Sequence, residues 1–214
     1  CKDALMAGFT TFRDAGSVSE GLKLAFDEGV LPGPRIYPCG AYISQTCGHG
    51  DSEYAHTYRD IQYRHPSSTV LVDGVPEIIR AVREQFYRGA SHIKLMATEI
   101  LNRHEDIRFL FGTDMMITGP DYQVEQSEDI RYYEKRFGTM RALRALTGTA
   151  NEVFALTTYQ NPYPKGKIGV LEAGSYADLL LVDGDPTKSV SVLADTDHLR
   201  LIMKGGTVYK NTLC

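Results

Sequence analysis

Residues 75–97 read VPEIIRAVREQFYRGASHIKLMA, and this stretch determines the fold that we expect for the chain. Its first half carries apolar residues at helical spacing, namely Ile78, Ile79, Val82 and Phe86. A proline in the first turn and a glycine after the last turn suit a helix over residues 76–87. Residues 92–97 are β-rich and predict a strand. The stretch therefore predicts a helix that leads directly into a strand.

The same order of helix and strand occurs twice earlier in the chain. Predicted helices over residues 3–7 and 19–28 each precede a short apolar strand, over residues 9–12 and 35–38. Polar residues follow these strands, as Arg13 does. Strands that alternate with helices indicate βαβ units and a parallel sheet. The predicted fold class is therefore α/β, and both a doubly wound sheet and a (β/α) barrel fit the pattern.

The pattern is interrupted after the strand over residues 92–97. Only about a dozen residues join it to the next predicted strand, over residues 108–111, and they show no full crossover helix. We therefore expect an incomplete barrel with a discontinuity near residues 100–101. A loop and a helix over residues 139–156 are predicted to follow.

The C-terminal part of the chain is rich in β-structure. Short Val, Ile and Leu runs alternate with Gly and Asp-Pro turns. Strands are predicted over residues 167–170, 177–182, 201–203 and 207–209. The prolines at 162 and 164 mark a boundary before this unit. We therefore expect two parts, a partial barrel over residues 1–160 and a second part over 161–214.

Composition excludes several classes of partner. The chain has 214 residues, a net charge of -4 and a pI near 5.9, which give no broad attraction to phosphate backbones or anionic lipid. Neither nucleic acid nor a membrane is therefore an expected partner, and no apolar run approaches the ~20 residues of a membrane span. The chain begins with Cys1 in what reads as the end of a helix, so we expect an incomplete N-terminus.

The four cysteines lack the spacing of a zinc ribbon or a redox pair. Free buried thiols are the favoured interpretation. A disulfide between Cys39 and Cys47 would form in an oxidising compartment, so cytoplasmic and periplasmic or secreted locations both stay open.

Lys94 lies inside the predicted strand over residues 92–97, among apolar neighbours. One interpretation is a lysine at a sheet edge whose amine reaches water. The other is a lysine that faces a barrel interior, where desolvation lowers the pKa of the amine. Such an amine reacts with carbon dioxide, and the resulting carbamate can bridge two metal ions.

Asp114 ends the stretch FLFGTD over residues 109–114, in which Gly112 and Thr113 follow the predicted strand over residues 108–111. It suits a helix cap or a turn. It equally suits a catalytic carboxylate, because barrel enzymes keep their catalytic groups at the carboxyl ends of their strands. There it could bind a metal ion and take a proton from a bound water.

Residues 45–51 read QTCGHGD, a loop in which glycines flank His49. Glycine gives the backbone freedom to bring this histidine close to a ligand. Cys39, Cys47 and His49 could instead bind zinc, although their spacing fits no standard finger. The remaining histidines show no ligand pairing and are expected at the surface or in loops, at positions 56, 65, 92, 104 and 198.

Several motifs follow one another in an order that resembles the amidohydrolase superfamily, and most closely its prolidase and ochratoxinase branch. They are GFTTFRD at 8–14, GPRIY at 33–37, SQT at 44–46 with GHGD at 48–51, HIKLMA at 92–97, FGTDMM at 111–116, GKIG at 166–169, ADLLL at 177–181 and MKGG at 203–206. The resemblance covers nearly the whole chain.

The resemblance implies a (β/α)8 TIM barrel with a small β-sandwich and two divalent metal ions, most often Zn2+. Lys94 matches the carboxylated lysine, whose carbamate forms from CO2, and Asp114 matches the aspartate after the last barrel strand. His49 falls where a substrate-binding histidine polarises the scissile carbonyl. The implied reaction is attack of a metal-bound hydroxide on the amide of a dipeptide, an Xaa-Pro dipeptide or an N-acyl amino acid, with Asp114 as the general base.

The sequence departs from this pattern at several points. The HxH pair and two further metal-binding histidines have no counterpart, and Glu99 and Ile100 replace an expected pair of glycines. A catalytically inactive fragment or scaffold is therefore an alternative, and an interrupted barrel with open strand edges is prone to association, as in a homo-oligomer. A deaminase-type amidohydrolase is a second alternative, against which Lys94 argues.

Overall fold

The computed structural model describes residues 2–16, 20–46, 48, 50–51, 69–95, 110–112 and 122–213, with the backbone alone over 122–127. The helices are α1 (Lys2–Met6), α2 (Glu20–Asp27), α3 (Val75–Tyr87), α4 (Tyr122–Phe137), α5 (Thr139–Leu146) and α6 (Gly148–Ala155). The strands are β1 (Thr11–Arg13), β2 (Arg35–Tyr37), β3 (Tyr42–Ser44), β4 (Thr69–Leu71), β5 (Leu179–Val182), β6 (Leu199–Lys204) and β7 (Thr207–Asn211). No helix in this described part is long and apolar enough to cross a membrane.

The N-terminal strands pair in parallel, as predicted. β1 pairs with β2 and β3 pairs with β4. Leu95 forms a further parallel bridge with Ile43, and the Ser91 amide donates to the carbonyl oxygen of Pro38 at 2.7 Å. Residues 91–95 therefore run beside the chain from Pro38 to Ile43 in the same direction. The carboxyl ends of these strands consequently lie on one side of the molecule.

The C-terminal strands form an antiparallel sheet in the order β5-β6-β7. Helix α1 covers one face of this sheet, because Leu5 is buried against Leu199 and Ile202. Gly8 ends the helix at φ 92°, and a Cβ atom there would lie 3.1 Å from side-chain atoms of Leu180 and Leu199. A glycine at this position lets the chain turn closely past the sheet.

Buried polar contacts join strand β2 to the C-terminal segment. Arg35 and Asp178 form an ion pair whose side chains are 7% and 6% exposed. The other carboxylate oxygen of Asp178 accepts from the Gly205 amide at 2.8 Å. The Ile36 amide donates to the hydroxyl of Tyr163 at 3.0 Å, so a side chain satisfies this part of the strand edge.

Glu134 of α4 holds the 3-10 turn Val190–Ala194 in place. Its carboxylate accepts hydrogen bonds from five groups, the hydroxyls of Thr139, Ser189 and Ser191 and the amides of Val190 and Ser191. Burial raises the pKa of Glu134, but these hydrogen bonds, led by that from Ser191, outweigh it and lower the pKa to about 2. The carboxylate therefore stays ionised at neutral pH.

Three predictions about these elements are wrong. The helix expected over residues 139–156 is two helices, because Thr147 leaves helical geometry at φ -132° and ψ -97°. The loop expected before residue 139 contains α4, a helix of weak apolar periodicity. The strand expected over residues 167–170 is irregular. The interruption predicted near residues 100–101 lies outside the described residues.

Candidate functional site

The candidate site lies at the carboxyl ends of the parallel strands. β1 ends at Arg13 and β3 ends at Ser44. Leu95 bridges to Ile43 of β3, so Lys94, which precedes Leu95, lies near the end of β3. The Ile43 amide donates to the Lys94 carbonyl oxygen at 2.9 Å. Loops that follow parallel strands meet at this edge, where α/β enzymes place their catalytic groups.

Lys94 packs beside an aromatic ring. Its ammonium lies 6.0 Å from the ring centroid of Tyr42, at the limit of a cation–π contact. The lysine is half-buried, and none of the ion pairs formed among the described residues includes it. Within the described ranges, the Tyr42 ring is thus the neighbour that the structure gives this amine.

Two glycines allow loops to approach Tyr42 closely. A Cβ atom at Gly16 would lie 2.7 Å from the Tyr42 ring, and one at Gly50 would lie 2.8 Å from it. These distances are shorter than real side-chain contacts, so both loops depend on glycine here. Tyr42 therefore sits where the loops after β1 and β3 converge on Lys94. The sequence reasoning missed Tyr42, because an aromatic residue in a strand usually indicates core.

The loop that carries His49 is anchored at its described residues. Thr46 donates to the carboxylate of Asp73 through its hydroxyl and through its amide, the latter at 3.2 Å. The buried hydroxyl of Ser44 accepts from the Gly50 amide at 3.1 Å. These bonds fix both ends of the loop. Asp73 is a second residue that the sequence reasoning missed, since it precedes α3 like an ordinary capping residue.

His92 is half-buried rather than at the surface. Its Nε2 lies 2.8 Å from the Asp14 carbonyl oxygen, and its Nδ1 lies 3.0 Å from the Ser91 hydroxyl. Because a carbonyl oxygen only accepts, this contact assigns the ring proton to Nε2. Burial, and then the nearby charge of Arg13, lowers the pKa of His92 to about 4. The imidazole is therefore neutral at pH 7.

A cavity of about 280 Å³ opens next to His92. Its polar lining comes from Arg13, Ser91, His92, Thr157, Thr158 and Gln160. The apolar part of the wall comes from Phe86 of α3 and from Val153 and Leu156 at the end of α6. The size is near the lower end of small-molecule pockets, which span roughly 300 to 1,000 Å³.

Of the residues predicted to bind metal or substrate, the structure describes Lys94. Asp114 and His49 lie outside the described residues, as does Cys47 of the alternative zinc site. Cys39 is buried, with its sulfur 3.1 Å from the Gly40 carbonyl oxygen. Within the described ranges, no group of three or more His, Cys, Asp or Glu side chains could hold a metal ion. Lys94 is thus the one predicted site residue that the structure describes, and the described residues alone do not complete a metal site.

Comparison with known proteins gives relatives in sequence and in structure. No family model matches the chain. Ochratoxinase from Aspergillus niger is 35% identical over 120 residues, which are 51% of this chain and 25% of ochratoxinase. The matched segment therefore spans only a quarter of the length of that relative.

Solved structures share the fold over nearly the whole chain. An amidohydrolase structure aligns with a TM-score of 0.76 at 21% identity, covering 100% of this chain and 78% of its own. A prolidase complexed with N-methylphosphonate-L-proline gives 0.71 at 21%, covering 98% and 78%. The structure of A. niger ochratoxinase gives 0.70 at 18%, covering 99% and 74%. The resemblance predicted from the motifs is thus confirmed: the chain is similar in sequence to ochratoxinase and has the mixed helix and sheet fold of amidohydrolases.

Proposed function

We propose that this chain supplies part of the active site of a hydrolase that cleaves an amide or peptide bond. The substrates would be small molecules, namely dipeptides, Xaa-Pro dipeptides or N-acyl amino acids. The observation that carries the proposal is the half-buried Lys94 beside Tyr42, at the carboxyl ends of the parallel strands. The ochratoxinase similarity supports it.

The same proposal includes the architecture. Residues 1–160 would form a partial (β/α)8 barrel, and residues 161–214 would contribute the end of the barrel domain and a β-sandwich segment. The parallel pairs β1-β2 and β3-β4 support the first part. The sheet β5-β6-β7 supports the second part, because its strands pair antiparallel, whereas the strands of the first part pair in parallel.

Metal dependence follows from the proposed role of Lys94. Its unprotonated amine would add to carbon dioxide, lose a proton and become an anionic carbamate that offers two oxygen ligands. The position of the lysine fits this step, because its amine has no carboxylate partner among the described ion pairs. Two divalent ions, Zn2+ by resemblance to the amidohydrolases, would polarise the amide carbonyl and supply an activated water.

The remaining residues would handle protons and orient the substrate. Asp114, as a further ligand, would accept the proton of the attacking water and deliver it to the leaving amine. His49 would donate a hydrogen bond to the carbonyl oxygen of the substrate, where negative charge develops. The bonds from Thr46 to Asp73 would hold the loop of His49 in position.

Substitution of Lys94 tests the proposal. We expect Lys94→Ala to lose bound zinc and to lose hydrolysis of a dipeptide and N-acyl amino acid panel by at least a hundredfold. Lys165→Ala removes an exposed lysine and is the matched control. Added formate or acetate should restore part of the activity of Lys94→Ala, because a small carboxylate can replace the carbamate oxygens.

Two outcomes would contradict the proposal. If Lys94→Ala keeps both metal and activity, a deaminase-type site without a bridging lysine explains the chain better. If the unaltered chain binds no stoichiometric metal and hydrolyses nothing in the panel, the inactive scaffold explains it. Metal content is measured by mass spectrometry, and activity by release of the free amine.

A further inference from the structure

The cavity beside His92 contains a cationic group for which the proposed hydrolysis has no use. Arg13 is the last residue of β1, is exposed, and lines the cavity. Its sequence position, at the end of a parallel strand, is one at which α/β proteins bind ligands.

The guanidinium has no acidic partner in the part of the chain that the structure describes. None of the ion pairs there includes Arg13, and none of the described residues that line the cavity is acidic. Burial lowers the pKa of Arg13, and the nearby Cys39 opposes that shift. Arg13 is nevertheless exposed to solvent, so an anion in the cavity can reach its guanidinium.

The other polar groups that line the cavity offer an anion no positive charge at neutral pH. His92 is neutral at pH 7 and is held by Asp14 and Ser91. The Thr157 hydroxyl donates to the Phe154 carbonyl oxygen at 2.6 Å. Arg13 is consequently the one group among the described lining residues that brings a full positive charge to the cavity at neutral pH.

The opposite wall of the cavity is strained. Thr158 has a φ of 47°, which is unfavourable for a β-branched residue. Such strain is often found at binding sites, where the surrounding structure holds it. Thr158 begins the 3-10 turn Thr158–Gln160, whose residues line the cavity. The wall is therefore shaped in advance of any ligand.

We propose that this cavity binds a small organic carboxylate, with the carboxylate on Arg13 and its apolar portion against Phe86, Val153 and Leu156. The guanidinium matches a carboxylate in planar, two-point geometry. The apolar wall favours a carboxylate that carries a hydrocarbon group over a bare inorganic anion. A volume of about 280 Å³ limits the ligand to roughly the size of one amino-acid derivative.

Calorimetric titration with 4-methylpentanoate tests this site. The probe has no amide bond, so its binding does not depend on the proposed hydrolysis, and either proposal can fail without the other. We expect binding to the full chain at low salt, at least tenfold weaker binding of 4-methylpentan-1-ol, and at least tenfold weaker binding of 4-methylpentanoate to Arg13→Gln. Arg80→Gln removes an exposed arginine of α3 and should bind like the unaltered chain.

Arg13→Lys distinguishes recognition from folding. It keeps the charge without the planar geometry, so binding should be intermediate between the unaltered chain and Arg13→Gln, while the thermal unfolding midpoint of each variant shows that it is folded. The proposal is overturned if 4-methylpentanoate does not bind at millimolar concentration, if Arg13→Gln binds it equally well, or if inorganic phosphate binds as tightly.

Discussion

The ion pair between Arg35 and Asp178 allows a quantitative prediction. Asp178→Asn removes the negative charge and keeps an oxygen that can accept from the Gly205 amide. Arg35, only 6% exposed, then remains buried without its partner. Breaking a buried ion pair from one side costs about 3–5 kcal/mol. The contact of the guanidinium with Tyr176, 4.2 Å from the ring centroid, is present before and after the substitution, so we expect the full loss of about 3–5 kcal/mol.

That loss is a large part of the stability of an ordinary domain, which is about 5–15 kcal/mol. For a chain of this length it lowers the unfolding midpoint by roughly 6–20 °C. Urea unfolding followed by circular dichroism measures the loss, since the chain has no tryptophan for fluorescence. Asp197→Asn, at an exposed aspartate, is the control and should change stability by less than about 0.5 kcal/mol.

A double variant separates the ion pair from its surroundings. Arg35→Met combined with Asp178→Asn leaves no unpaired charge, so its loss should be smaller than the sum of the two single losses by about 1–3 kcal/mol. Additive losses, or a loss below about 0.5 kcal/mol for Asp178→Asn alone, would refute the reasoning that this pair joins β2 to the C-terminal segment.

Two further predictions concern stability. Glu134→Gln should cost about 1–2 kcal/mol, because the partly exposed carboxylate loses charged hydrogen bonds. The folded pKa of Glu134, about 2, lies below its ordinary value of 4.5, so this contribution is complete above pH 4.5 and is lost as pH falls towards 2. The unfolding midpoint of Glu134→Gln should consequently fall less steeply below pH 4.5, and parallel curves would contradict this. Gly16→Ala should lower stability by about 1–3 kcal/mol, since its Cβ atom would overlap the Tyr42 ring. Gly74→Ala, also at positive φ but with open space, is the control; equal losses in urea unfolding would mean that backbone strain alone is responsible.

The strongest periodicity in the sequence predicted its element well. The helix expected over residues 76–87 is α3 (Val75–Tyr87), because one apolar face, a proline and a glycine all indicate the same boundaries. The break at Thr147 has a different origin. A Cβ atom at Gly169 would lie 2.5 Å from the Thr147 carbonyl oxygen, so the helix ends where another segment crosses it. A contact so distant in sequence leaves no local signal.

The candidate site was predictable in part. Lys94 lies at a strand end, in keeping with its motif, but its role as a metal ligand stays a prediction, as do the roles of Asp114 and His49. Tyr42 and Asp73 were not identified, because their residue types are common in a strand and before a helix. Their relation to Lys94 and to the loop after β3 depends on which strands are neighbours, which local sequence does not contain.

The hydrogen bond from the Ile36 amide to the Tyr163 hydroxyl can form only late in the synthesis of the chain on the ribosome. The two residues are 127 positions apart, and Arg35 and Asp178 are 143 apart. At ribosomal rates of about 5–20 residues per second, roughly 6–25 s pass between the emergence of Ile36 and that of Tyr163. During that interval the nascent strand has an open edge, and contacts of such long range also slow folding. Strand β2 therefore lacks these two stabilising partners until the chain beyond Asp178 has been made.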